Sequence, residues 1–346
     1  MWKIKWIDIE LTSFCNIHCE GCFREISKYA DNILNKQMLS LETIQEKFKR
    51  EDFPGCEIIN FCGSVDEPTS HPQFFDIIKH FAEWNVHINI ATNGSLRTVK
   101  WWTELAGILP RNHSVTWGID GVDETSEIYR RGSKFKIVEK NYRAFIKAGG
   151  RAKWQFIVFD HNKHQEQEVK IKALDEGFKN VTYIYSHREE VKNPKIKHTQ
   201  LPPAPKREDK PKPPKPMPPN PEKQGYRIVS DQLVLQNQET KNIECKYKAQ
   251  NRIFVNHMGN VIPCCHLNSE MLEYTAGREE NSQFTDILNS NAGELAVNLK
   301  YNSIHEVMEG DVWKDIADTW PTDKPVEKCW KTCKKRKHDV FIKESL

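Results

Sequence analysis

Between Trp6 and Tyr185 six short runs of strand character alternate with longer stretches that carry apolar residues at helical spacing. The predicted strands are Trp6–Leu11, Glu57–Cys62, His87–Ala91, Ser114–Ile119, Lys153–Phe159 and Val181–Tyr185. Helices are predicted over Arg24–Leu34, from a Ser40 cap to Arg50, around Phe74–Phe81, and over Val99–Ile108, Phe135–Ala148 and Gln165–Gly177. This alternation specifies an α/β fold with a parallel sheet joined by right-handed crossovers. Periodicity leaves open whether the sheet curls into a partial barrel. Ligands of such sheets bind beyond the C-terminal strand ends, so the loops there are the place to look for chemistry.

One of those loops is unusual. Directly after the first strand, Cys15-Asn16-Ile17-His18-Cys19-Glu20-Gly21-Cys22 puts three thiols within eight residues. Three thiolates on one loop hold three irons of a 4Fe-4S cluster and leave the fourth iron open, whereas zinc normally recruits a fourth protein ligand. Three unrelated buried thiols are the remaining alternative, although buried cysteines have no reason to gather in a loop. The chain has ten cysteines, a number that in an intracellular protein points to metal ligands or catalytic thiols rather than disulfides. An intracellular, cytoplasmic and soluble protein is the expectation. Met1-Trp2-Lys3 runs straight into the first strand, and no apolar run approaches the ~18 residues a membrane span needs. With 51 basic against 48 acidic residues, charge gives no general argument for nucleic acid.

The spacing C-x3-C-x2-C after a first strand resembles the signature of the radical S-adenosylmethionine (SAM) superfamily. The resemblance implies a partial (β/α)6, TIM-like barrel in which the amino and carboxylate groups of SAM chelate the open iron at Cys15, Cys19 and Cys22. Later strand ends supply further likenesses. Cys62-Gly63-Ser64-Val65-Asp66-Glu67-Pro68 resembles the glycine-and-acid motif that receives the SAM ammonium, with Gly63, Asp66 and Glu67 as contacts and Glu67 preferred. Ala91-Thr92-Asn93-Gly94-Ser95 resembles the turn facing the ribose, through Asn93. Asp120 follows the fourth strand, and Arg131 is the candidate for the methionine carboxylate. Ile157 lies in the strand that resembles the adenine edge, and Phe23 is placed to shield the base. Two positions depart from the family: Gly21 stands where an aromatic precedes the third cysteine, and Gly118 where a serine is usual.

Val191 to Tyr226 holds 11 of the 18 prolines and nine Lys or Arg, a composition that favours an extended tether; a docking strip is the alternative. Beyond it, Asn251–Val255 and Gly259–Ile262 predict a hairpin with a turn at His257 to Gly259, and Arg227-Ile228-Val229 reads as a further strand piece. Cys245-x13-Gly259-x4-Cys264 is similar to the hairpin half of the SPASM and twitch domains. Cys329 and Cys333 complete four ligands of one auxiliary 4Fe-4S cluster, leaving Cys265 spare and Cys56 and Cys62 as buried thiols. Four thiolates suit zinc as well. The expected domains are therefore a radical SAM core at 1–190, a linker at 191–226 and a small twitch-type Fe-S domain at 227–346.

The resemblance implies an enzyme that reductively cleaves SAM to a 5'-deoxyadenosyl radical and takes hydrogen from a substrate. The expected substrate is a peptide or protein undergoing oxidation, and the expected electron source is an external one-electron reductant such as flavodoxin or ferredoxin. A dehydrogenase of a small molecule such as a sugar, an RNA-modifying enzyme using the basic run Lys334 to Lys337, and a non-catalytic Fe-S or zinc scaffold are the alternatives. No catalytic acid or base is assigned, and no membrane partner is expected.

Overall fold

The computed structural model describes residues 3–34, 37–110, 112–185, 243–278, 282–333 and 342–345. All six predicted strands are present: β1 Trp6–Ile9, β2 Ile58–Phe61, β3 His87–Thr92, β4 Ser114–Gly118, β5 Ala152–Val158 and β6 Val181–Tyr185. They pair in parallel in sequence order, as a partial (β/α)6 barrel. The crossovers carry α1 Leu41–Lys47, α2 Phe74–Ala82, α3 Val99–Ile108, α4 Phe135–Lys147 and α5 Glu166–Asp175. Ser40 caps α1 by accepting from Thr43 N at 3.1 Å. In α2, Phe74, Ile77, Ile78 and Phe81 form one buried stripe at helical spacing.

The predicted helix over Arg24–Leu34 is instead two single turns, Phe23–Ile26 and Ala30–Ile33. Ser27 between them is extended, and its Oγ accepts from Tyr29 N at 3.2 Å, a local bond that competes with helix continuation.

Beyond the core, β7 Arg252–Val255 and β8 Val261–Ile262 form the predicted antiparallel hairpin. The hairpin does not found a sheet of its own. β7 pairs in parallel with β1, Trp6 opposite Arg252 and Ile9 opposite Val255, and β9 Ile342–Ser345 adds antiparallel to β6, giving the order β8-β7-β1-β2-β3-β4-β5-β6-β9. The expected boundary at 227 thus does not separate two sheets. Ile253, Phe254 and Val255 are fully buried, and a two-stranded hairpin cannot cover both its faces, whereas the free edge of β1 supplies both backbone partners and a core. The second segment continues with α6 Cys265–Thr275, α7 Gln283–Ser290, α8 Ile304–Glu309, α9 Asp311–Asp318 and α10 Glu327–Cys333. No helix among the described residues is long and apolar enough to cross a membrane. The linker at 191–226, the strand piece Arg227-Ile228-Val229 and the basic run Lys334 to Lys337 lie outside the described residues.

Strand alternation gives the sheet two chemistries. Ile7 and Ile9 join the helix-covered core, while Asp8 and Glu10 point the other way, also fully buried. Asp8, Asn60 and Asn89 stand in register on β1, β2 and β3. Asn60 Nδ2 donates to Asp8 Oδ1 at 2.8 Å, Asn89 Nδ2 to Asn60 Oδ1 at 2.7 Å, and the Ser114 and Thr116 hydroxyls to Asn89 Oδ1. A polar ladder therefore crosses four strands beneath the strand-end loops.

Candidate active site

Cys15, Cys19 and Cys22 open into one cleft of about 220 Å³ at the C-terminal strand ends, shared with Gly63, Asp66, Glu67, Asn93, Arg130 and Ile157. Burial and the Glu67 charge push the Cys15 thiol up to about 12, so only a neighbouring positive charge, such as a bound metal would supply, would hold it as a thiolate. Gly21 has φ +72, a left-handed conformation an aromatic residue adopts only with strain, which accounts for the first departure from the family.

The β2 turn is bolted to this loop. Arg24 Nη1 donates to the carbonyls of Ser13 and Val65 at 2.5 and 2.7 Å, and Glu67 N donates to Phe14 O. Of the two candidate acids, Glu67 is nearly saturated. It accepts from Thr69 N, the Thr69 and Thr92 hydroxyls and Asn93 N, tying β2 to β3. Asp66 accepts from Leu11 N through Oδ2 at 3.1 Å, while its Oδ1 is shut from solvent and has no hydrogen-bond partner among the described residues. An ammonium donor fits that orphan oxygen, so the geometry favours Asp66 over the expected Glu67. Gly63 leaves the room it occupies: a Cβ there would lie 2.1 Å from Asp66 Oδ1.

Arg130, not Arg131, lines the cleft. Its Nε lies 2.8 Å from Asp120 Oδ2; burial opposes its charge, but Asp120 and Cys19 outweigh that cost and raise its pKa. A Cβ on Gly118 would meet Arg130 Nη2 at 2.6 Å, so the second departure from the family is the space this guanidinium fills. Arg131 sits outside, its exposed side chain 3.6 and 3.4 Å from Glu20 and Glu25. Asp120 does not line the cleft; it anchors Arg130 and accepts from Ile157 N at 2.7 Å. Ile157 O in turn accepts from Asn162, so Ile157 offers the cleft its side chain rather than free backbone. Asn93 braces the cysteine loop through Asn16 Oδ1 at 3.1 Å and Cys15 Sγ at 3.6 Å. Phe23 is drawn away into an apolar cluster with Ile33, Val65 and Leu272.

Sequence reasoning missed Arg24, Arg130 and the buried trio Glu10, His257 and Asn268. Glu10 Oε2 accepts from the amides of Ser64 and Val65 at 2.6 and 3.1 Å, and Oε1 pairs with His257 Nδ1 at 2.7 Å, with Asn268 beside it. The alternation Ile7-Asp8-Ile9-Glu10 was the available signal, since it aims both acids away from the helices.

Cys245, Cys264, Cys329 and Cys333 all line a second, small cavity. Cys329 and Cys333 lie one turn apart on α10, and Cys245 and Cys264 precede the first turns of helical segments. Among the described residues no group of three such ligands is placed to hold a metal ion; the four thiols share the lining of one cavity. Cys265 is turned elsewhere, toward Tyr247, Asp8 and Arg252.

The Radical SAM superfamily matches residues 9–172, and the SPASM iron-sulfur cluster-binding domain matches 245–334, together well over half of the chain. A cofactor-modifying protein for tungsten-containing aldehyde ferredoxin oxidoreductase from Pyrococcus furiosus is 32% identical over 103 residues, which span 30% of this chain and 28% of that relative. Among solved structures, Streptococcus suis SuiB bound to the precursor peptide SuiA matches with TM-score 0.54 at 11% identity, over 93% of this chain and 66% of that one. Native anSMEcpe with bound AdoMet matches with TM-score 0.50 at 13% identity, over 94% and 96%. The cofactors of this family are SAM, a 4Fe-4S cluster and auxiliary Fe-S clusters, and the two cysteine-lined cavities and the orphan carboxylate oxygen fit them. This chain belongs to the radical SAM superfamily and is an enzyme of its SPASM/twitch group.

Proposed function

We propose that the chain oxidatively modifies a peptide or protein, using the strand-end cleft to form and confine the radical. The observation that carries this reading is the pairing in one cleft of three thiols with an unpartnered Asp66 oxygen and the buried Arg130 guanidinium. Bound SAM and its cluster supply a hydrogen-abstracting radical after one-electron reduction. Asp66 would hold the SAM ammonium and Arg130 its carboxylate, with the Ile157 side chain in the same cleft to exclude water from the bound cofactor. Cys245, Cys264, Cys329 and Cys333 would hold an auxiliary cluster, which would supply a one-electron acceptor for an oxidation. An external one-electron reductant primes each cycle. The peptide class is supported by the fold shared with SuiB, whose structure was solved with its precursor peptide.

The test is anaerobic reconstitution. About eight irons per chain and 5'-deoxyadenosine formation with dithionite are expected, and Cys19→Ala should remove about four irons and all cleavage. About four irons together with bound zinc would sink the auxiliary cluster, and absence of cleavage would leave a scaffold. For the substrate class, 5'-deoxyadenosine formation should be stimulated by a protease-sensitive fraction of source-cell extract. Stimulation by a protease-resistant small-molecule fraction would replace the peptide reading.

A further inference from the structure

Cys62 is outside both cysteine sets assigned above to clusters, and unlike the buried Cys56 it is only partly covered. It directly follows Phe61, the last residue of β2, and its side chain points opposite to the buried Phe61, into the same cleft as the three loop cysteines. Asn60 Nδ2 lies 2.7 Å from its sulfur, and the thiol in turn lies 3.7 Å from Asp8 Oδ1 as donor. Burial, the Asp8 charge and Cys265 push its pKa well above the ordinary thiol value, so the group is held as neutral S–H. The same cleft contains the unpartnered Asp66 Oδ1, which marks it as a ligand site and not a packing gap. Cys265 approaches from α6, bonded by Tyr247 and facing the Asp8–Arg252 pair that also supports Cys62. A partly accessible, protonated thiol in a radical-forming cleft is a hydrogen-atom donor by its chemistry, since S–H bonds are weaker than the O–H and aliphatic C–H bonds around it.

We infer that Cys62 donates a hydrogen atom to the radical formed in this cleft, giving the site a redox-neutral outcome beside oxidation. The inference rests on the radical-forming reading above. In the step, a carbon radical takes the hydrogen atom of Cys62: a C–H bond forms, the S–H bond breaks and the sulfur is left as a thiyl radical. One electron from the one-electron reductant the enzyme already requires, with one proton from solvent, restores the thiol. A substrate hydrogen is thereby exchanged for a solvent-derived one, and delivery from the Cys62 side inverts a stereocentre when abstraction takes place on the other face.

Thiol hydrogens exchange with water, so the test needs no identified substrate. Reconstituted protein is given SAM and dithionite in D2O, and the 5'-deoxyadenosine is analysed by mass spectrometry, with deuterium content expressed per molecule formed. The wild type is expected to yield singly deuterated product. Cys62→Ser, similar in size but with an O–H bond too strong to donate, should lose that one-unit mass shift, as should Cys62→Ala. Cys56→Ala, which removes a thiol occupied with the Ile58 carbonyl, should retain it. Undeuterated product from the wild type overturns the inference without recourse to variants, and so does equal deuterium content in the wild type and Cys62→Ser. Failure of the wild type to cleave SAM at all overturns the radical-forming reading beneath it, a separate result.

Discussion

The joint between the hairpin and the cysteine-bearing strand gives the most demanding test of the structure. Arg252 on β7 meets Asp8 on β1 in a two-pronged contact, Nε to Oδ2 at 2.6 Å and Nη2 to Oδ1 at 2.9 Å, with Asp8 wholly shielded from solvent. The guanidinium also lies 3.9 Å from the Trp6 ring centroid and 4.4 Å from that of Tyr247. Arg252→Met keeps most of the apolar volume against the rings but strands a buried carboxylate, whose remaining polar contacts are Asn60, Trp6 and Cys62. Breaking a buried pair from one side costs about 3–5 kcal/mol, whereas removing both charges is often close to neutral. The single variants Arg252→Met and Asp8→Asn should therefore each lose several kcal/mol, and the double variant far less than their sum, with a coupling of about 2 kcal/mol or more. Anaerobic urea denaturation, followed by tryptophan fluorescence, measures all four corners of this cycle. Additive losses, with coupling under ~0.5 kcal/mol, would refute the claim that this pair holds the second cysteine segment to the core.

Three further outcomes are expected. Burial pushes the Glu10 carboxyl up, but His257 and the amides of Ser64 and Val65 outweigh it and hold its pKa below the ordinary value. The stability it contributes is therefore present above the unfolded carboxylate pKa and is lost as pH falls through the lowered folded value; Glu10→Gln should flatten that acid limb in thermal melts from pH 7 downward. Gly118→Ser forces a side-chain atom into Arg130, so it should cost about 1–3 kcal/mol and weaken SAM binding in calorimetric titration. Unchanged affinity would remove Arg130 from the site. Burial and then the Glu10 charge hold the Asp66 pKa well above the ordinary carboxylate range, so SAM affinity should rise with pH as the carboxylate forms. Asp66→Asn should abolish that slope and weaken binding by about tenfold or more, in line with a charged hydrogen bond of about 1.5–3 kcal/mol.

Local chemistry was legible in the sequence wherever it is carried by neighbouring residues. The six strands follow from their apolar runs, α1 from its Ser40 cap, and the first three cysteines from their spacing on one loop, while the second cysteine set was pointed to by the resemblance to SPASM and twitch domains. Side-chain choice between adjacent candidates was not legible. Arg130 and Arg131, or Asp66 and Glu67, differ by one position, and which arginine lines the cleft and which of the two cleft acids has its oxygens taken up by the protein is fixed by partners far away in the chain: Asp120 and Gly118 for Arg130, Thr92 and Asn93 for Glu67. The same holds for the hairpin, whose strands were visible but whose place beside β1 depends on an open sheet edge and on an Asp8–Arg252 contact across 244 residues. The sequence by itself determined the six strands and pointed to the family and its candidate cysteines; the tertiary structure decided which polar groups lose their water, and so which are left unpaired.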